Sequence, residues 1–143
     1  MEEARRLYLD TNALIAIVEK EGELSAAQAE LVEEIDAGKV RATTSELALA
    51  ECLVKPLAER DETLVRSYLT LLGGEGDLVT MIPVTRDVIL EAAKVRAGSR
   101  VKLPDAIHLA SARMSGCAEF VSNDRRLKGA TPTFRLWSEL GQS

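Results

Sequence analysis

Carboxylates stand beside several apolar segments of this chain, at positions where acidic side chains can do chemistry. Asp10 comes directly after the apolar residues 7–9, and Asp124 comes shortly after a predicted strand at 119–122 whose centre, Phe120 and Val121, is apolar. Asp105 lies just inside the start of an amphipathic segment. Each position also has an ordinary explanation, because Asp caps helix N-termini and acids stabilise a first helical turn.

A further acid, Glu51, lies in a predicted helix between the apolar residues Leu47 and Val54. Residues three or four apart share one side of a helix, so Glu51 is expected on the buried side with these neighbours. Glu46 is a weaker candidate, because it occupies a capping-box position away from the apolar stripe. The candidate acids are Asp10, Glu51, Asp105 and Asp124.

Convergence of these acids would require a compensating charge. Two carboxylates about 4 Å apart repel each other by about 4 kcal/mol at an effective dielectric constant of 20. A divalent cation is the natural partner, and oxygen ligands without a Cys or His cluster favour Mg²⁺ or Mn²⁺ over zinc. Carboxylate-bound Mg²⁺ typically serves phosphate chemistry, so the pattern predicts hydrolysis of a phosphodiester bond without a protein nucleophile.

Short apolar segments alternate with helical ones, which is typical of βαβ units and a parallel sheet with helices on both faces. Strands are predicted at residues 7–9, 40–43, 78–82, 119–122 and, at an edge, 133–136. The first strand is expected at the centre, with the strand at Phe120 as its neighbour across the switch point. Asp10 and Asp124 would then face one crevice beyond the carboxyl ends of these strands.

Helix signals fill the segments between the strands. Ser25 and Gln28 form one capping-box pattern, and Thr43 and Glu46 form another, which predicts a helix that opens near residue 44 or 45. Pro56 is expected to kink or divide that helix. Apolar stripes are predicted on three helices, at Leu47, Ala50, Val54 and Leu57, at Leu64, Val65, Tyr68, Leu69 and Leu72, and at Val88, Ile89, Ala92 and Arg96.

Motifs around the acids carry a family resemblance. They read Leu-Asp-Thr-Asn at 9–12, Thr-Ser-Glu-Leu-Ala-Leu-Ala-Glu at 44–51, Leu-Pro-Asp-Ala-Ile-His-Leu-Ala at 103–110 and Phe-Val-Ser-Asn-Asp at 120–124. In this order they resemble a PIN-domain nuclease, and stand-alone chains of this size in that family are mostly VapC-type toxins of toxin–antitoxin pairs. The resemblance covers residues 6–136.

The resemblance implies a PIN-like, Rossmann-like fold: a three-layer α/β/α sandwich around a five-stranded parallel sheet. It implies a Mg²⁺- or Mn²⁺-dependent endoribonuclease whose catalytic and metal-binding acids map onto Asp10, Glu51, Asp105 and Asp124. Ser122 replaces the common Thr of the family but keeps the hydroxyl. Arg125 and Arg126 follow the last Asp, where many relatives carry a further acid. The number of bound metal ions, one or two, therefore stays open.

Secondary positions surround these acids, namely Thr11, Asn12, His108, Ser122 and Asn123. Thr11 and Asn12 are candidates to hydrogen-bond Asp10 or a metal-bound water, with helix capping as the alternative. His108 is the only histidine, and a general-base role competes with a structural or rim position. Arg125 and Arg126 are candidates to clamp substrate phosphates.

Composition limits the classes of function. The formal net charge of −5 does not indicate attraction of the whole molecule to nucleic acid, and 3% aromatic residues argue against base recognition on an aromatic sheet. Cys52 and Cys117 fit no zinc or disulfide pattern. Without a basic leader or an apolar run of membrane length, the chain is expected in the cytoplasm and away from membranes. Residues 73–76 are too short to separate domains, so residues 1–143 are expected to form a single PIN-like domain.

Two other classes of α/β protein require residues that this sequence lacks. An aspartyl-phosphate phosphatase would want a second Asp where Asn12 stands, and a receiver-like module would need an acid after the third strand, where residues 82–85 offer none. A stand-alone RNA-processing nuclease and a PIN-fold binding module without catalysis remain alternatives to the toxin. The resemblance also implies a small antitoxin partner and a homodimer, with helices at 26–37 and 61–72 as candidate surfaces.

Overall fold

A computed structural model describes residues 4–20, 22–73, 78–131 and 133–142. The strands are β1 (Arg5–Leu9), β2 (Val40–Ser45), β3 (Val79–Ile82), β4 (Glu119–Ser122) and β5 (Phe134–Leu136). The helices are α1 (Thr11–Val18), α2 (Ala26–Asp36), α3 (Glu46–Ala58), α4 (Glu62–Leu71), α5 (Arg86–Ala97) and α6 (Leu103–Met114). Most of the predicted loop at residues 73–76 lies outside the described residues.

The sheet has five parallel strands in the order β3-β2-β1-β4-β5. The predicted central place of β1 is confirmed. Strand β2 lies on one side of β1 and β4 on the other, with Leu9 opposite Val121. The chain progresses from β1 to β3 in one direction and returns to β4 on the other side of β1. The switch point therefore lies beyond the carboxyl ends of β1 and β4, as expected for a ligand-binding crevice.

Alternate residues of the central strands pack on opposite faces of the sheet. Leu7 and Leu9 belong to a core cluster that also contains residues of α1, α2, α3 and α4. Tyr8 points to the other face, where it stacks on Phe120 at a centroid distance of 5.2 Å and packs with residues of α6. Since α5 packs on α6 through small residues such as Ala92 and Ala106, this gives the predicted three-layer α/β/α sandwich.

Helix starts agree with the predicted caps except at α3. The capping box of Ser25 and Gln28 is present at α2. Strand β2 runs to Ser45, so the predicted cap of α3 by Thr43 is wrong. The Ser45 hydroxyl caps this helix by accepting from the Leu47 backbone N–H at 3.1 Å. The strand continues two residues past its predicted end at Thr43, through the buried Thr44, which is β-branched, and Ser45.

The predicted apolar stripe of α3 is also wrong. Val54 and Leu57 are 67% and 58% exposed, whereas Ala48, Cys52 and Pro56 form the buried side. Spacing by four residues and small side chains allow this side to approach the sheet closely. Pro56 does not divide the helix, which continues to Ala58.

The stripes on α4 and α5 are correct in part. Tyr68 and Leu72 are buried, but Leu69 is exposed. On α5, Val88 and Ala92 are buried, while the predicted positions Ile89 and Arg96 are exposed. Within the described part of the chain, no helix combines the length and the apolar character needed to cross a membrane.

Candidate functional site

Asp10 lies at the switch point, between the end of β1 and the start of α1. Its backbone N–H donates to the Val121 carbonyl of β4 at 3.1 Å, and the Thr44 hydroxyl fixes the preceding residue by donating to the Leu9 carbonyl at 2.6 Å. The Asp10 carboxylate accepts from the Ala13 backbone N–H at 2.9 Å and is 2% exposed. It therefore caps α1 and also occupies the predicted crevice.

Burial disfavours the ionised form of Asp10. Desolvation raises its pKa from an ordinary value of 3.8 to about 6, against the lowering effects of the Ser122 hydroxyl and the Ala13 N–H. The negative charge of Asp105 raises the pKa further, which identifies Asp105 as an electrostatic neighbour. A helix cap can function at the surface, so capping alone does not explain why the Asp10 carboxylate is buried. Its burial has a desolvation cost in free energy.

Glu51 of α3 is held by two hydrogen-bond donors at the same oxygen. His108 Nε2 lies 2.8 Å from Glu51 Oε1, and the Thr11 hydroxyl donates to this atom at 2.7 Å. Burial alone would raise the pKa of Glu51, but these two donors outweigh it and hold the pKa below its usual range. Thr11 therefore orients Glu51, rather than capping α1 or contacting Asp10.

His108 is buried on α6, with 2% of its surface exposed. Its Nδ1 lies 2.6 Å from the Tyr8 hydroxyl, and its Nε2 contacts Glu51, so both ring nitrogens are engaged inside the protein. A general base must reach a proton of the substrate, and these contacts favour the structural alternative for His108. Tyr8 is a functional candidate that the sequence reasoning missed.

Asp105 lies in the first turn of α6 and is partly buried. Desolvation raises its pKa, and the charge of Asp124 raises it further, with a smaller contribution from Glu51. Asp105 therefore lies within electrostatic range of the other three acids, since Asp10 also responds to its charge. The four predicted acids share one end of the sheet.

Asp124 follows β4 and differs from the other acids in having a cationic partner. Its carboxylate accepts from Arg126 Nη2 at 2.6 Å and from Arg126 Nε at 3.0 Å, in a bidentate ion pair. The pKa of Asp124 is lowered mainly by this partner. The Ser122 hydroxyl accepts from the Asp124 backbone N–H at 3.0 Å, so Ser122 shapes the turn that carries the acid.

The rim of the site is formed by exposed polar side chains. A cavity of about 500 Å³ is lined by Asn12, Asn123, Asp124, Arg125, Arg126 and Ser138. Arg125 is paired with Glu139 at 2.7 Å, so both predicted phosphate-binding arginines have acidic partners, although both side chains are about two-thirds exposed (67%). A neighbouring cavity of about 820 Å³ shares Asn12 and Asn123 and extends to Lys20 and Lys55.

The acids share this edge without forming a ready-made cage. In the described ranges, no three His, Cys, Asp or Glu side chains are grouped closely enough to hold a metal ion. Glu51 is engaged by His108, and Asp124 is engaged by Arg126. The donor set, oxygen atoms from carboxylates, nevertheless has the chemistry that Mg²⁺ and Mn²⁺ prefer.

Comparison with solved structures supports this description of the fold. A toxin–antitoxin complex from Klebsiella pneumoniae contains a chain 21% identical to this one, with a TM-score of 0.65 over 92% of this chain and 97% of that chain. A chain of VapBC-1 from nontypeable Haemophilus influenzae is 16% identical to this one, with a TM-score of 0.69 over 93% of this chain and 98% of that chain. VapC20 from Mycobacterium tuberculosis, a Sarcin-Ricin loop cleaving toxin, is 16% identical to this chain. Its TM-score is 0.65, over 87% of this chain and 94% of that chain.

Sequence comparison gives the family. A search of curated proteins found no match. The model of the PIN domain family, in contrast, matches residues 7–131, which include all four acids and the strands that position them. This chain belongs to the PIN-domain family.

Proposed function

We propose that this protein is a metal-dependent endoribonuclease that hydrolyses RNA phosphodiester bonds. The observation that carries the proposal is the gathering of Asp10, Glu51, Asp105 and Asp124 at the switch point beyond β1 and β4. Two of these acids, Asp10 and Asp105, have raised pKa values because they are buried near like charge. Perturbed carboxylates in a crevice are typical of functional sites.

Asp10, Glu51, Asp105 and Asp124 are the residues that would hold the cation, Mg²⁺ or Mn²⁺. A bound divalent cation supplies a hydroxide-like nucleophile at neutral pH and neutralises charge on a phosphodiester. The acids fit this role because their mutual repulsion is relieved by positive charge. Asp124 can join them only if it exchanges the guanidinium of Arg126 for the cation.

The remaining residues of the site bind and orient. Thr11 and His108 hold Glu51 by one oxygen, which keeps its carboxylate at the crevice. Arg125 and Arg126, with exposed guanidinium groups, are placed to contact substrate phosphates once their acidic partners are displaced. Asn12 and Asn123 line both cavities at the rim and can donate hydrogen bonds to a nucleotide chain.

RNA is proposed as the substrate, and the toxin of a toxin–antitoxin pair as the biological role. The support is membership of the PIN-domain family together with fold similarity to chains from VapBC complexes and to a toxin that cleaves the sarcin–ricin loop. A small antitoxin and a homodimer are the proposed partners, in the cytoplasm. Exposed apolar residues of α3 and α4, namely Val54, Leu57 and Leu69, offer surface for a protein partner.

The nuclease proposal is tested with RNA and a matched pair of variants. Purified protein is incubated with a sarcin–ricin loop hairpin and with unstructured RNAs, with Mn²⁺ or with EDTA. We expect cleavage only with metal, and loss of cleavage in Asp105→Asn. Asp87→Asn is the control, because Asp87 also lies in the first turn of its helix, α5, but is exposed and lines neither of the two cavities at the site.

Undiminished cleavage by folded Asp105→Asn would overturn the proposed site. Cleavage that survives EDTA in the wild-type protein would overturn the metal dependence. Folding of both variants is checked by thermal unfolding, since the Asn side chain is close in size to Asp. The oligomeric state is measured separately by light scattering, where twice the monomer mass is expected and a monomer would contradict the proposed dimer.

A further inference from the structure

A hydrogen-bonded chain of side chains connects the core to the site. It starts at Tyr8 in the middle of β1, passes through His108 on α6 and ends at Glu51 on α3. Its two steps are short, 2.6 Å from Tyr8 Oη to His108 Nδ1 and 2.8 Å from His108 Nε2 to Glu51 Oε1. Tyr8 and His108 are both buried, so solvent does not compete for these contacts.

The partners fix the hydrogen on each atom of the chain. An ionised carboxylate can only accept, so His108 Nε2 must carry the hydrogen that it shares with Glu51. In the neutral ring His108 Nδ1 then has no hydrogen, and it accepts from the Tyr8 hydroxyl at 2.6 Å. Tyr8 thereby selects the ring form of His108 that donates to Glu51.

The two carboxylate oxygens of Glu51 differ in their hydrogen bonding. Thr11 and His108 both donate to Oε1. Among the described residues, no hydrogen bond is made to Oε2, and the Glu51 side chain is 33% exposed. A carboxylate fixed at one oxygen and accessible at the other is prepared to bind a ligand through the second oxygen.

We infer that His108 and Tyr8 are positioning residues that hold Glu51 by Oε1 and so present Oε2 to the divalent cation. This inference rests on the proposed function, because it assigns Glu51 to the metal. His108 touches neither substrate nor metal in this account. Tyr8 acts one step further away, by holding the His108 ring in its donating form.

Two amide variants separate the contacts of His108. The amide nitrogen of Gln lies about where His Nε2 lies, so His108→Gln can still donate to Glu51. The amide of Asn reaches only the position of His Nδ1, so His108→Asn keeps a partner for Tyr8 and loses the contact to Glu51. A merely structural role for His108 gives no reason for the two variants to differ in metal affinity.

The test measures Mn²⁺ binding in the absence of RNA. The concentration of free Mn²⁺ is determined by electron paramagnetic resonance. We expect His108→Asn to weaken Mn²⁺ binding about 10-fold, as for other residues that orient a metal ligand, and His108→Gln to restore most of the affinity. Tyr8→Phe should weaken binding less, since the Thr11 and His108 contacts to Glu51 survive. In a Glu51→Gln background, His108→Asn should have no further effect.

The possible failures are distinguishable. A wild-type protein that binds no Mn²⁺ overturns the proposed function and this inference with it. Wild-type binding with equal affinities in His108→Asn and His108→Gln overturns the inference alone. If His108→Asn does not fold, the other variants still test the inference. The inference is overturned if Tyr8→Phe binds Mn²⁺ as tightly as the wild type and His108→Gln binds it as weakly as Glu51→Gln.

Discussion

The two halves of the site hold their acids in different ways. On the buried half, Asp10 and Glu51 are held by hydrogen bonds from a backbone N–H, a hydroxyl and the His108 ring. On the open half, Asp124 is held by the exposed guanidinium of Arg126, and Arg125 is held by Glu139. Both halves satisfy their polar groups, but only the open half does so with a permanently charged guanidinium.

This difference divides the work between the halves. The hydrogen bonds on the buried half orient Asp10 and Glu51 without a bidentate ion pair, and Glu51 Oε2 takes part in none of them. The Arg126 guanidinium does neutralise Asp124, and an exposed ion pair of this kind is worth only about 0.2–1 kcal/mol, so it can be exchanged easily. The buried half is therefore preorganised, and the open half is exchangeable.

Asp10→Asn should give the largest loss of activity. Asn caps a helix as well as Asp does, so the fold should persist while the buried charge disappears. Loss of one electrostatic group at the reacting centre should lower RNA cleavage about 100-fold or more. Asp61→Asn is the matched control, because Asp61 caps α4 in the same way but is exposed and away from the site. Equal activity in the two variants would contradict the assignment of Asp10.

Asp10→Asn should also stabilise the metal-free protein. The pKa of Asp10 is raised to about 6 by burial, so its contribution to stability is fully present below pH 4 and is lost as the pH rises through 6. The variant lacks this loss and should be more stable above pH 6, by on the order of 2 kcal/mol. Denaturant unfolding in EDTA from pH 4 to pH 8 measures the difference, and a constant difference would contradict the burial of this charge.

Arg126→Gln should have a smaller effect, of the opposite sign. Removal of the guanidinium frees Asp124, so the affinity for Mn²⁺ should rise by about 1.4- to fivefold, which is the equivalent of 0.2–1 kcal/mol. Arg125→Gln is the matched control, because Arg125 is equally exposed and pairs with Glu139 rather than with an acid of the site. Weaker metal binding in Arg126→Gln would place Arg126 among the groups that support the cation.

Arg125→Gln should give the smallest effect, on RNA binding alone. If Arg125 contacts one phosphate, its loss should reduce the slope of log affinity against log salt concentration by about 0.7 to 1. Binding of RNA is measured between low and moderate salt in the Asp105→Asn background, which prevents cleavage. An unchanged slope would remove Arg125 from the proposed substrate path.

The sequence predictions for Asp10, Asp105 and Asp124 rest on element boundaries, because each of these acids ends a strand or opens a helix. The alternation of strands and helices predicts the parallel sheet, and this topology brings Asp10 and Asp124 to adjacent strand ends. The pairing of β1 with β4 then places Asp105 nearby, because α6 leads into β4. These inferences need only local periodicity and the rule for switch points.

Contacts that depend on rotation of a helix were beyond the same reasoning. Two stripes can be drawn on α3, and the larger residues Val54 and Leu57 indicated the wrong one, because small residues pack closest to the sheet. Glu51 lies between the two stripes, so it is partly buried and contacts Thr11 and His108 although the predicted stripe is incorrect. The contact of Tyr8 with His108 joins residues about one hundred positions apart and has no local signal.

The proposed site requires the four acids to bind one divalent cation together. Anomalous diffraction from crystals of the protein soaked in Mn²⁺ measures this directly. We expect an anomalous peak contacted by Asp10, Glu51 through Oε2, Asp105 and Asp124, with Arg126 moved away from Asp124. A crystal with Mn²⁺ bound only elsewhere, or with these acids and the Arg126 pair unchanged at saturating Mn²⁺, would contradict it.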